Sequence, residues 1–269
     1  MTRQIFARIA GSCILALAAS TAHADPIASW DYSVGLTWST APGDVTWSSG
    51  NDGQRSTSAT VLQWGGSLDN YTNTNSGQSA LVITDSPAGG TAITDGGPEL
   101  TNTITHYNNV VSSNLKTLTS AVLLADVTLT PLGGSPLAPY NYQFQIKFVE
   151  TPNTAGTCVP DSATVCDDIF VLAMGALNKE FTVGDYTYYV SIFEATNALN
   201  PLSKEACERA NATWPCIGFM TPEQQHTPAQ FAFQITSEPV TVDAPAPGVL
   251  ALMGIGLAGA GFLRRRRRD

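Results

Sequence analysis

The stretch Tyr140-Asn-Tyr-Gln-Phe-Gln-Ile-Lys-Phe148 alternates large apolar side chains with polar ones along its whole length. Because successive side chains of a β-strand point to opposite faces, this pattern predicts a strand with a buried aromatic face and amides in water. The same alternation recurs in residues 186–192 and 231–235. The chain is therefore expected to build its core from sheets that each bury one face.

Shorter apolar segments predict further strands, and clusters of Gly, Pro and Asn predict the turns between them. These additional strands are expected at residues 35–39, 60–64, 80–84, 100–107, 120–130 and 169–173. One short helix is expected at 202–210, with Ser203 as its N-cap. Many short strands and almost no helix predict an all-β fold, an antiparallel two-sheet sandwich that is jelly-roll-like.

The N-terminus has the features of a secretory signal peptide. Arg3 and Arg8 precede or flank an apolar run, and Ala22-His23-Ala24 provides a cleavage site of the small-x-small type. We therefore expect the Sec translocon to export the chain and signal peptidase to remove residues 1–24. Residues 25–243 would then form one exported domain.

The C-terminal segment 244–269 has three parts with separate physical meanings. Pro245, Ala246 and Pro247 keep the chain extended, because proline fixes φ and lacks a backbone donor. The glycine-rich apolar run that follows predicts a single transmembrane helix of marginal length. Five arginines then stop translocation, namely Arg264, Arg265, Arg266, Arg267 and Arg268.

This tail resembles the PEP-CTERM sorting signal of Gram-negative bacteria that make exopolysaccharide, with Ala246 where that signal has Glu. The resemblance implies recognition by an exosortase-like membrane protease and export through the inner membrane. It also implies delivery to the cell surface or the extracellular space, with a transient or permanent single-pass anchor. An ordinary C-terminal membrane anchor is the alternative reading of the same residues.

The expected mature domain is strongly acidic. Of the 13 Lys and Arg residues, two lie in the signal peptide and five in the tail, whereas 21 of the 22 Asp and Glu residues lie in residues 25–243. The domain therefore carries six basic and 21 acidic side chains, a net charge of −15. Such a surface repels phosphates, so a nucleic-acid partner is excluded.

Four cysteines remain after processing, and they form two local pairs. In an oxidising compartment this arrangement favours disulfides, which we predict between Cys158 and Cys166 and between Cys207 and Cys216. A zinc site is disfavoured because neither pair has the short spacing of a zinc knuckle.

A second motif is Thr105-His106-Tyr107-Asn108, at the end of a predicted strand. Together with residues 121–130, 218–223 and 231–235 it resembles the THxN family of PEP-CTERM proteins, which implies an exported surface protein and no particular enzyme class. Residues two apart on a strand share a face, so His106 and Asn108 should lie together. We expect them to support the fold, with a sugar or metal site as the alternative, and we expect His226 in a loop.

The sequence has none of the catalytic signatures that we searched for. It lacks a Gly-x-Ser-x-Gly elbow, a His-Glu-x-x-His helix and a phosphate-binding loop, and the pair Asp167 and Asp168 is explained by an acidic surface. No enzyme activity, cofactor or metal is therefore expected. Calcium binding by polar loops is left open, with candidate ligands at Asn51, Asp52, Asp69, Asn70, Asn73 and Asn75.

These observations predict an exported structural or adhesive component of the cell surface or extracellular matrix. A carbohydrate-binding module for exopolysaccharide is the alternative, and a secreted hydrolase is a third reading. Four tryptophans early in the domain could stack on sugars, but in a β-rich segment they are expected to pack in the core or at its edge. They are Trp30, Trp38, Trp47 and Trp64.

Overall fold

The computed structural model describes residues 25–66, 70–73, 76–154, 158–172 and 178–240. Within these ranges the chain forms fifteen β-strands and one α-helix. The strands are β1 (Ser29–Trp38), β2 (Thr46–Trp47), β3 (Gln54–Thr57), β4 (Val61–Gly65), β5 (Gln78–Thr84), β6 (Ala88–Ile93), β7 (Glu99–Tyr107), β8 (Leu118–Pro131), β9 (Tyr140–Val149), β10 (Asp168–Leu172), β11 (Lys179–Val183), β12 (Tyr186–Glu194), β13 (Asn200–Pro201), β14 (Ile217–Thr221) and β15 (His226–Thr236). The helix α1 is Lys204–Arg209. The predicted all-β class is confirmed.

The strands form two antiparallel sheets. The first has the order β13-β14-β10-β9-β8-β1-β6, with β2 also paired to β8, and the second has the order β11-β12-β15-β7-β5-β4-β3. All pairings between these strands are antiparallel. Consecutive strands pair within a sheet in β3-β4-β5 and in β8-β9-β10, and the finer jelly-roll assignment stays a prediction.

The inner faces of the two sheets pack into one hydrophobic core. Trp30 on β1 contacts Phe181 and Tyr188 of the second sheet, with ring centroids 5.5 and 5.0 Å away. At another point of the core, Trp64 on β4 meets Phe148 on β9 edge to face at 5.1 Å. These contacts join one sheet to the other, as in a β-sandwich.

The aromatic alternation in β9 is confirmed. Phe144, Ile146 and Phe148 are buried, whereas Gln143 and Gln145 are exposed. The tryptophans also behave mostly as expected, because three of the four early ones are fully buried, namely Trp30, Trp38 and Trp64. Trp47 is partly buried at the edge of the core, under the guanidinium of Arg55.

Helix α1 covers the outer face of the first sheet. Its N-cap is Ser203, whose hydroxyl accepts a hydrogen bond from the backbone N–H of Ala206 at 3.1 Å, as the sequence predicted. Cys207 lies on the buried side of the helix and packs with Ile169 and Val171 of β10. Residues 169–172 of β10 are therefore buried on both faces, which explains why they are all apolar.

Both predicted disulfides are present in the structure. One joins Cys158 to Cys166 in the connection between β9 and β10, and the other joins Cys207 of α1 to Cys216, next to β14. Each bond closes a short loop, so each fixes local structure rather than joining the two sheets.

Several strands have no strong sequence signal, and one residue was placed wrongly. The unpredicted strands are short or lie at or next to sheet edges, namely β2, β3, β6, β11, β13 and β14. The sequence predicted His226 in a loop, but His226 is the first residue of β15 and pairs with Tyr107. Its exposed side chain and the proline two residues later conceal the strand from sequence reading.

The predicted signal peptide, residues 1–24, and the predicted tail, residues 244–269, lie outside the described residues. The predicted transmembrane helix therefore lies outside them too. Among the residues that the structure does describe, no helix has the length and apolar character needed to cross a bilayer.

Replacing Phe144 by Ala should lower the free energy of unfolding by about 3–5 kcal/mol, because it removes a buried ring from the core and leaves a cavity. The matched change of exposed Gln143 to Ala should cost no more than about 0.5 kcal/mol. Denaturant unfolding followed by tryptophan fluorescence measures both. Equal losses at the two positions would contradict the assigned faces of β9.

Candidate functional site

His106 lies at the centre of a buried polar cluster near one end of the sandwich. It is on β7, between Leu81 of β5 and Thr227 of β15, and its side chain has no exposed surface. Its ring is parallel to Trp64 at 6.1 Å and meets Phe148 of the opposite sheet edge to face at 4.9 Å. His106 therefore points into the space between the sheets.

The side chains of Thr105-His106-Tyr107-Asn108, here called the THYN segment, point alternately to opposite faces, as expected for a strand. Asn108 is buried just beyond the end of β7 and donates from Nδ2 to the carbonyl oxygen of Thr221 at 2.8 Å. Tyr107 instead packs its ring near Tyr71 and His226, at 5.2 and 5.6 Å. Thr105 is also buried, within β7 between β5 and β15. His106 and Asn108 both support inter-sheet contacts in this arrangement.

Three carboxylates converge beside His106. Glu150, Asp168 and Glu223 each place an oxygen within 4.8 Å of the oxygens of the other two. The strand pairing explains this convergence: Ile169 pairs with Val149, so Asp168 at the start of β10 lies next to Glu150 at the end of β9. Asp168 also pairs with Thr221, the last residue of β14, and Glu223 follows two residues later.

Hydrogen bonds hold two of these carboxylates in place. Trp64 donates its indole N–H to Oε2 of Glu150 at 2.7 Å, which connects the second sheet to the end of β9. The backbone N–H of Thr151 donates to Oδ1 of Asp168 at 2.8 Å. The hydroxyl of Thr151 donates to the carbonyl oxygen of Cys166, so the first disulfide loop borders the cluster.

Other buried atoms of the cluster have no hydrogen-bond partner. They are both ring nitrogens of His106, Oε1 of Glu150, Oδ2 of Asp168, Oδ1 of Asn108 and both carboxylate oxygens of Glu223. The Nε2 atom of His106 lies 3.9 Å from Oδ2 of Asp168, too far for a hydrogen bond. Buried polar atoms are nearly always paired in native proteins, so this concentration is the most unusual chemical feature of the domain.

Burial shifts the pKa values of all four ionisable groups toward the neutral forms. Burial lowers the pKa of His106 to about 3, so its imidazole is neutral at physiological pH. Burial also raises the pKa of Glu150 to about 8, opposed by the hydrogen bond from Trp64 and reinforced by the charge of Glu223. The pKa values of Asp168 and Glu223 are raised as well, chiefly by burial and then, for Asp168, by the Glu150 charge.

Sequence reasoning identified His106 and Asn108 but missed the three carboxylates. Asp167 and Asp168 were attributed to an acidic surface, and this was wrong, because both side chains are buried. Asp167 accepts hydrogen bonds from the backbone of Ala163 and Thr164 within the disulfide loop, whereas Asp168 faces the cluster. The sequence did contain a signal for the burial of Asp168, because this residue directly precedes the fully apolar strand segment 169–172.

The polar loops considered for calcium have other contacts. Asp52 is exposed and pairs with Lys116 at 2.6 Å and with Arg55 at 3.0 Å. Asn70 accepts from the backbone N–H and hydroxyl of Thr72, which forms a local turn. Two further candidates, Asp69 and Asn75, lie outside the described residues.

The predicted sorting residues also lie outside the described part of the chain, so sequence comparison alone bears on them. Residues 243–268 match the PEP-CTERM protein-sorting motif. The PEP-CTERM motif indicates an extracellular protein that an exosortase processes and that reaches the cell surface through the membrane. Comparison of the chain with curated proteins finds no match.

Replacing His106 by Gln should make the stability less sensitive to acid. In the wild type the unfolded chain takes up a proton on His106 below pH 6.5, whereas the folded protein resists it down to about pH 3, so stability is lost as the pH falls through this window. The variant lacks this term. The three neighbouring carboxyl groups, whose pKa values are raised, act in the opposite direction in both proteins. On acidification the variant should therefore gain stability relative to the wild type by about 1.4 kcal/mol per pH unit.

Chemical unfolding between pH 6.5 and 4.5, with EDTA present, measures the difference between the two slopes. The control is His226→Gln, because His226 is exposed at the start of β15. Parallel slopes for the wild type and the His106→Gln variant would show that His106 is not held neutral by burial.

Proposed function

We propose that the mature domain is a structural or adhesive component of the cell surface or extracellular matrix, and that it is not an enzyme. The observation that carries this proposal is a PEP-CTERM sorting motif attached to a disulfide-bonded β-sandwich. The resemblance of Thr105, His106 and Asn108 to the THxN signature is in line with it. Small disulfide-bonded loops suit a protein that must persist outside the cell.

The burial of the reactive groups supports a role without catalysis. The side chains of His106 and Asp168 have no exposed surface, and the rings of Trp64 and Phe148 lie against His106. A polymeric substrate would need to reach between the sheets to contact them. The most perturbed ionisable groups of the described residues are therefore explained better by the support of the fold than by a reaction.

Sorting should depend on the proline motif, because an extended segment without backbone donors is accessible to a protease at the membrane face. In a host with an active exosortase, the wild-type protein should be recovered without Arg264–Arg268, whereas a Pro245→Ala, Pro247→Ala double variant should retain them. Intact mass of the protein from the surface and the medium measures this. The matched variant Ala246→Glu, which restores the usual residue, should still be processed.

Retention of the whole tail by the wild-type protein in that host would contradict exosortase processing. Loss of the tail from the double variant would show that another feature of residues 243–268 is recognised.

One surface favours carbohydrate binding as a second candidate function. A depression of about 410 Å³ on the outer face of the first sheet is lined by residues of β9, β10 and the segment after α1, including Gln145, Lys147 and Asn211. Trp214, in the same segment between two lining residues, is 57% exposed. A sugar ring could stack on an exposed indole that is adjacent in sequence to the lining of a depression with amide and ammonium donors.

Replacing Trp214 by Ala should then weaken binding to the exopolysaccharide of the native host by about fivefold, since one aromatic stacking contact is worth about 1 kcal/mol. The control is Leu132→Ala, because Leu132 is also highly exposed but lies in the turn after β8, at the opposite end of that strand from the depression. Co-sedimentation with the purified polysaccharide measures both. Equal retention by the two variants would exclude this surface as the binding site.

A further inference from the structure

Within the described part of the chain, no Lys or Arg side chain forms an ion pair with the three carboxylates at the end of β9, the start of β10 and the end of β14. Among the residues that the structure describes, the only ion-pairing contact of this cluster is that of His106 with Asp168, and its length of 3.9 Å is too great for a hydrogen bond. Arg55 and Lys116 pair with Asp52 on the surface, and Lys204 pairs with Glu208 on α1. Ionised carboxylates at this place would repel one another with little screening by solvent, so the cluster needs protons or a cation to neutralise it.

The unpartnered oxygens are arranged as a cation would require. Each carboxylate retains at least one buried oxygen without a hydrogen bond, and these oxygens converge within 4.8 Å. Asp168 and His106 are completely buried, and the nearest imidazole nitrogen of His106 points toward Asp168 without donating or accepting a hydrogen bond there. Such groups are normally paired or bound to a metal.

We propose that Glu150, Asp168 and Glu223 bind a divalent cation of the calcium class, with His106 beside Asp168 at the rear of the site. Glu150 and Glu223 are only partly buried as residues, although their unpartnered oxygens are buried, so the site lies beneath the surface on their side. The cation replaces the protons that an isolated cluster of this kind would otherwise retain.

The spacing of the oxygens favours calcium over magnesium. Calcium–oxygen bonds of about 2.3–2.6 Å allow two ligands on opposite sides of the ion to lie up to about 5 Å apart, whereas magnesium bonds of about 2.0–2.1 Å allow only about 4.2 Å. The three oxygens are separated by at most 4.8 Å. Carboxylates are also hard ligands of the kind that calcium prefers, and an exported protein meets calcium outside the cytoplasm.

The bound cation would join parts of both sheets. Glu150 and Asp168 belong to neighbouring strands of the first sheet, whereas Glu223 lies in the connection from β14 to β15, where the chain crosses to the second sheet. Asn108 docks on the same connection, through Thr221 and through a backbone bond to the carbonyl oxygen of Gln225 at 2.9 Å. The cation therefore stabilises the end of the sandwich that carries the THYN segment.

The test uses the exported protein, purified and freed of metal ions with EDTA. Isothermal titration with calcium chloride should give one site per chain. At a calcium concentration about 100 times the dissociation constant, the melting temperature should rise by about 5–10 °C. Magnesium at the same concentration should give a clearly smaller rise.

The decisive variant is Asp168→Asn, which keeps the shape of the side chain and the oxygen that accepts from Thr151. It should lose at least tenfold in calcium affinity and lose the calcium-dependent rise in melting temperature. In EDTA it should melt at the same temperature as the wild type or higher, because the amide never carries the charge that is costly to bury at this position. A residue with a purely structural role would not give this pattern.

Two further variants complete the test. Glu223→Gln changes a partly buried ligand and should lose the calcium response even if Asp168→Asn fails to fold. Asp52→Asn removes an exposed carboxylate from a different acidic loop and should respond to calcium as the wild type does. A wild-type protein that neither binds calcium nor gains stability from it would overturn the proposal, as would a normal calcium response in both ligand variants.

Discussion

The burial of aromatic and aliphatic side chains between two sheets is the interaction on which the rest of the structure depends. Each aromatic ring removed from water hides about 150–250 Å², worth roughly 4–6 kcal/mol at 25 cal/mol per Å² before the entropy of ordering is subtracted. Trp30, Trp64 and Phe148 all make ring contacts with the opposite sheet. Neither sheet could bury its inner face alone, so the sandwich is one cooperative unit.

This core ends in a polar cluster, and the two are physically continuous. Phe148 and Trp64 belong to the core, and both rings also lie against His106, while Trp64 donates a hydrogen bond to Glu150. Their packing therefore sets the low local dielectric that shifts the pKa values of the neighbouring groups. A carboxylate cluster in such a place destabilises the fold unless it is protonated or bound to a cation, since like charges in poor solvent repel strongly.

Export from the cell explains why the domain combines disulfide-bonded loops with an acidic surface. Both disulfides brace loops on the first sheet, and one of them borders the carboxylate cluster through Thr151 and Cys166. The acidic surface keeps the domain away from other acidic polymers and favours solubility. The PEP-CTERM motif at residues 243–268 directs the same chain out of the cell, where oxidising conditions allow the disulfides to form.

The amino-acid sequence by itself determined the all-β class, the inner face of β9, the capped helix α1, both disulfides and the sorting motif. Each of these depends on residues that are close together in the chain: the alternation around Phe144, Ser203 before its helix, and cysteines eight and nine positions apart. Edge strands such as β3 and β11 were not predicted from the sequence, because few of their side chains are buried and little apolar periodicity results.

Only the tertiary structure decided the candidate site. Glu150, Asp168 and Glu223 are brought together by the pairing of β9 with β10 and of β10 with β14, and His106 reaches them from the other sheet. The residues are separated by tens of positions, and each alone looks like an ordinary residue of an acidic exported domain. Their chemistry arises from shared burial, which depends on the packing of both sheets and therefore on the whole fold.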